Sequence, residues 1–146
     1  MSTFSSDTLN SVYFPLRMTY GLVPIVAGLD KFTNFLVDWQ VYLPSHATET
    51  LPVSPATFMM IVGVIEILAG AAVLTVLPRL GAYVVMIWLI LIAVAVTLAG
   101  FLDIAVRDLV MAVGAYSLGQ LAALHGDGWL PGTHSTEVMT NHALAN

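Results

Sequence analysis

The chain has 146 residues, 58% of them hydrophobic and 9% charged, with a formal net charge of −5 and a mean hydropathy of +0.89. Soluble domains carry about a quarter charged residues, so this composition excludes a water-coated globule and fits a chain whose apolar exterior meets lipid. Arg17, Lys31, Arg79 and Arg107 stand singly, which argues against nucleic acid, and the lack of cysteine excludes disulfides, thiolate metal ligands, iron–sulfur ligation and a cysteine nucleophile.

Four apolar segments approach the roughly 20 residues that a hydrocarbon core requires. They predict an all-α polytopic membrane protein: four transmembrane helices in an antiparallel bundle over 1–126, then a polar tail over 127–146. The first helix is expected over 13–36, with Pro15 in its opening turn and Pro24 kinking its middle. Without a basic leader or an A-x-A-like cleavage site, it reads as a retained helix. Residues 37–54 form the longest connection, polar and proline-rich, with Trp39 and Tyr42 as interfacial aromatics.

Ser54 and Pro55 form a cap-then-proline start for a second helix over 55–77, which Pro78 stops. The short turn "LPRLG" makes the third helix, 80–102, its antiparallel neighbour; with no ionisable group, this helix can face lipid all round. Asp103 is the expected N-cap of a fourth helix over 104–124, and His125 and Gly126 mark its far end. The tail that follows is expected to be irregular. No internal repeat stands out.

The polar residues then sort by depth. Arg17, Tyr20, Gly21, Pro24, Gly28 and Lys31 recur at helical spacing and share one face, as do Gly63, Glu66 and Gly70, with glycines that admit a neighbouring backbone. Counting from the helix ends at about 1.5 Å per residue puts Arg17 and Gln120 near one surface and Glu66 near mid-depth. An inward polar seam of Arg17, Tyr20, Glu66, Tyr116 and Gln120 is therefore expected, with Arg17 and Gln120 in contact directly or through a water or tyrosine hydroxyl. A second cluster, Asp30, Lys31, Asp103, Arg107 and Asp108, is expected at the opposite surface, pinning the first helix to the fourth or lining a cleft mouth.

Glu66 interrupts the run "IVGVIEILAG". An ionisable group at that depth must be neutralised, paired or used, so it reads either as a proton-accepting or ligand-binding carboxylate or as a hydrogen-bonded structural group. Tyr20 and Tyr116 read as quinone donors or as packed tyrosines with one satisfied hydroxyl. His46, His125, His134 and His142 lack the close helical spacing of a ligand set, so no metal site and no intrinsic cofactor are expected.

An arginine early in the first helix, "AGLDKF", "VIEILAG", "PRLGA" and "DIAVRDLVMAVGAYSLGQL", in this order, resemble the DoxX-like family of small four-helix integral membrane proteins. The resemblance covers about residues 13–123 and singles out Arg17, Gly28, Lys31, Glu66, Gly70, Arg79, Arg107 and Asp108. It implies a bacterial or archaeal cytoplasmic membrane, with both termini on the same, cytoplasmic, side; the basic residues tie at two on each surface. It also implies a role beside other membrane subunits. The leading expectation is a non-catalytic accessory or anchor subunit of a respiratory or photosynthetic complex. The alternative is the membrane subunit of a quinone-linked oxidoreductase of the thiosulfate:quinone type, with quinone as the candidate ligand. A small-solute carrier comes third, since four short helices leave little room for alternating access.

Overall fold

The computed structural model describes residues 6–75 and 77–129, and among them it is all-helical. The elements are α1 (Ser6–Thr33), a 3₁₀ turn (Trp39–Tyr42), the short α2 (Ser45–Thr50), α3 (Pro55–Leu74), α4 (Pro78–Leu98) and α5 (Leu102–His125). Three helices are long and apolar enough to cross a membrane, over Asp7–Thr33, Pro55–Leu74 and Pro78–Leu98.

Local chemistry explains most of the boundaries. The Ser54 side chain accepts from the Thr57 N–H and Pro55 opens α3, as expected of that pair. Gly126, at φ 96°, caps α5 in the left-handed region after His125. Gly100, at φ 92°, turns the chain between α4 and α5.

Other boundaries move. α1 begins at Ser6, so Pro15 and Pro24 both lie inside it and Pro15 is not in an opening turn. Hydropathy marks where apolar side chains begin, whereas the helical hydrogen bonds continue through the polar residues before them, with Asp7 in the first turn suiting the helix dipole. Asp103 is not the N-cap of α5: Phe101 holds that position and Asp103 falls in the first turn.

α1 packs chiefly on α3, and α4 chiefly on α5; contact between the two pairs is thinner. Glycines set the first pairing. Gly28 backs onto the carbonyl of Gly63, and Gly70 onto the carbonyl of Gly21, so contacts climb one helix as they descend the other. In the second pair, the small residues Ala112, Ala115, Gly119 and Ala122 of α5 are buried, and the ring of Tyr83 sits over Gly119. α4 does not face outward all round: Gly81, Ala82, Val85, Leu89, Ala93 and Val96 are buried. Because these positions recur at three- and four-residue steps, one face of α4 is internal even without a charge to mark it.

Candidate functional site

The glycine register carries Lys31 toward the core. On Gly63, an added Cβ would meet the Lys31 Cβ at 3.1 Å, so the lysine starts level with Gly63 and its stem runs one turn along α3. Its ammonium meets the Glu66 carboxylate at 2.6 Å, and each residue is only 5% exposed. Lys31 thus belongs with Glu66 and not with an opposite-surface cluster. Depth counted from helix ends missed this because α3 extends two turns beyond the level at which Lys31 leaves α1.

The residues after α1 fold back over this pair. Asn34, at φ 49°, reverses the chain, and its N–H donates to the Asp30 carbonyl. The Asp30 carboxylate then accepts from the Thr33 hydroxyl, the Phe35 and Leu36 N–H groups and the Trp39 indole N–H, the last at 2.8 Å. This places the Trp39 ring against the Lys31 ammonium, 3.6 Å from nitrogen to ring centroid. Tyr42 lies edge-on to both Trp39 and Phe101, which ties the connection to the α4–α5 turn. Asp30 therefore organises a loop and, among the described residues, makes no ion pair.

Beside these residues lies a half-open cavity of about 650 Å³ between the two helix pairs. Its wall is mostly apolar, with Val62 and Ala69 from α3 and Leu89 and Ile92 from α4; Lys31, Glu66, Trp88 and Asp108 are the polar groups that matter. The Trp88 Nε1 and an Asp108 carboxylate oxygen are buried and have no hydrogen-bond partner among the described residues. Both lie near the depth of Glu66. Gly81 packs on Val73, and seven residues on from Gly81 and seven back from Val73 are Trp88 and Glu66. Tyr20 bonds Met111 while its neighbour Gly21 touches Gly70, and one turn back from Met111 and from Gly70 are Asp108 and Glu66.

The expected seam does not form as one unit. Arg17 does not reach Gln120; its guanidinium donates to the carbonyls of Val73, Leu74 and Thr75 at 3.0, 3.0 and 2.7 Å, closing the C-terminal end of α3. A fork of donors beside orphan carbonyls outcompetes a single distant amide. Gln120 instead donates to the Tyr83 hydroxyl at 2.8 Å. Tyr116 is 48% exposed and lies edge-on to Tyr83, outside any inward seam, because the small residues of α5 own the buried face. Tyr20 is internal, and its hydroxyl donates to the Met111 carbonyl at 2.8 Å.

The opposite-surface cluster also divides. Arg107 pairs with Asp103 at 2.7 Å within α5, with side chains 71% and 70% exposed, so that pair does not pin α1 to α5. Arg107 and Asp108 both line the cavity, and Asp108 has the buried oxygen there. Arg79 lies over the Trp129 ring, which stacks on Tyr83. His125 stacks on Tyr13, whose hydroxyl donates to Asp127 at 2.6 Å. The start of the expected irregular tail is thus packed, whereas His134 and His142 lie outside the described residues.

Among the described residues no group of His, Cys, Asp and Glu could hold a metal ion. Trp88 and Tyr83 are the important residues that spacing alone passes over, and Trp39, read as an interfacial aromatic, lies instead over the Lys31 ammonium. An indole N–H in a run as apolar as "MIWLIL" was the available signal for Trp88. No protein-family model, curated protein or solved structure matches the chain.

The Arg17 clamp has a measurable consequence. Arg17→Met is expected to destabilise the purified protein by about 2 kcal/mol, the scale of a charged hydrogen-bond group lost. Arg17→Lys should recover only part, since one ammonium cannot fan out to three carbonyls. Thermal unfolding in mild detergent reads both; an unshifted melting temperature for Arg17→Met would show that the clamp contributes nothing.

Proposed function

We propose that this chain is a four-helix antiparallel bundle of the DoxX-like kind and acts as an accessory membrane subunit, holding a quinone-type head group for a redox partner. The cavity carries the reading: about 650 Å³, apolar-walled, with a buried Lys31–Glu66 pair and further polar groups facing inward. Such a combination of apolar wall and few polar groups suits a ring with oxygen substituents. Reduction of a quinone consumes two electrons and two protons. The partner's redox centre supplies the electrons, and Glu66 is the membrane-depth acid that can relay protons.

α5 joins the three apolar helices as the fourth span, because its outward residues Val106, Val110 and Val113 are exposed and apolar, matching Val26 of α1 and Leu91 of α4. Both chain ends then lie on one side of a bacterial or archaeal cytoplasmic membrane, facing the cytoplasm. The anchor role draws on the same outward faces and on Phe35, which is 88% exposed in the segment that folds back after α1.

The test is titration of the protein in lipid nanodiscs with a short-chain ubiquinone, read by quenching of tryptophan fluorescence and by thermal shift. Saturable quenching is expected, with a rise in melting temperature on binding. Linear, non-saturating quenching equal to that of a Trp88→Phe variant would reject a quinone site. Mild-detergent purification with identification of co-purifying polypeptides tests the accessory role, and a chain that reduces quinone unaided would overturn it.

A further inference from the structure

We propose that the cavity prefers the reduced, hydroxyl-bearing form of its ring ligand, because Trp88 and Asp108 offer it one hydrogen-bond donor and one acceptor. The inference rests on the quinone reading above and assigns the polar recognition within it.

Trp88 Nε1 can only donate. Asp108 presents a carboxyl oxygen that is buried and, among the described residues, unpartnered. Buried polar atoms are almost always satisfied, so a donor and an acceptor left over in one cavity point to what the cavity receives. Several other polar groups there are already engaged: Lys31 is held by Glu66 and Trp39, and the Tyr20 hydroxyl donates to the Met111 carbonyl. Arg107, beside Asp108 in the chain, is taken by Asp103.

A quinone carbonyl accepts but cannot donate. It satisfies Trp88 and leaves an ionised Asp108, which can only accept, without a partner. A quinol hydroxyl both accepts and donates, so the reduced ring satisfies both groups. Sites that hydrogen-bond a hydroxyl reject analogues lacking it more strongly than apolar walls discriminate by size. A tenfold preference for quinol raises the two-electron midpoint potential of the bound couple by about 30 mV, which favours reduction in the site.

The experiment compares a short-chain quinol, its quinone and the dimethyl ether of the quinol under anaerobic conditions, using the protein in nanodiscs. Quinol is expected to bind at least tenfold more tightly than either analogue. Asp108→Leu should erase that preference by weakening quinol alone, and Asp108→Asn, which keeps an acceptor oxygen but adds an N–H donor that a quinone carbonyl can accept from, should hold quinol while narrowing the preference. Trp88→Phe should weaken quinol and quinone together. Thermal unfolding provides a check on folding: among the described residues the buried Asp108 oxygen gives up no hydrogen bond, so Asp108→Leu should melt close to the parent. Equal binding of quinol and quinone, or a preference that survives Asp108→Leu, overturns the inference while leaving the quinone site standing. Saturable binding of none of the three compounds rejects the quinone reading itself.

Discussion

Lys31→Met lowers the stability of the protein by about 3 to 5 kcal/mol, as expected when one partner of a buried ion pair is removed and the other is left in an apolar surrounding. The 2.6 Å contact and the 5% exposure of both residues leave Glu66 little access to solvent. Glu66→Gln is expected to lose a comparable amount, because the ammonium then keeps only the Trp39 face and an amide. The double variant Lys31→Met, Glu66→Gln should recover much of the deficit, since the orphaned charge is gone. Thermal or chemical unfolding in detergent measures all three. Additive losses in the double variant would mean that the two side chains stabilise the fold independently and do not act as a pair.

Gly28→Val is expected to be strongly destabilising. A Cβ at Gly28 would stand 2.5 Å from the Gly63 carbonyl oxygen and 2.9 Å from the Ile67 side chain, so α1 and α3 must separate along their closest approach. Overpacking usually costs about 1 to 3 kcal/mol, and here the obstacle is backbone that cannot rotate away. The same displacement carries Lys31 away from Glu66, which adds part of the ion-pair loss. Gly100→Ala is the control. Its Cβ would meet nothing within 4 Å, so only the positive φ of 92° is penalised, by about 1 to 2 kcal/mol. A Gly28→Val protein that melts with the parent would show that the helices are not in backbone contact at this point.

The all-helical character, the three apolar helices of spanning length and the inward position of Glu66 are legible because each depends on one strong signal, apolar length for the helices and an acid amid hydrocarbon for Glu66. Lys31 was misplaced because depth had been measured from helix ends, while the true register is set by Gly21, Gly28, Gly63 and Gly70 meeting across the interface. The same spacing that grouped Tyr116 with Gln120 identified a shared region of α5 but not which way it points. Ala112, Ala115 and Ala122 decide that, since small side chains allow the close approach of α4. Trp88 and Trp39 came together with Glu66 only through long-range packing. Neither periodicity nor composition specifies that a loop tryptophan will fold back over a lysine eight residues before it.

The Trp39 indole is fastened twice, through its N–H to Asp30 and through its face to Lys31. One ammonium thus serves as both counter-ion and latch. Anything that draws the lysine aside unfastens the overlying segment in the same movement, so neutralising the buried acid and admitting water from above become a single coupled event.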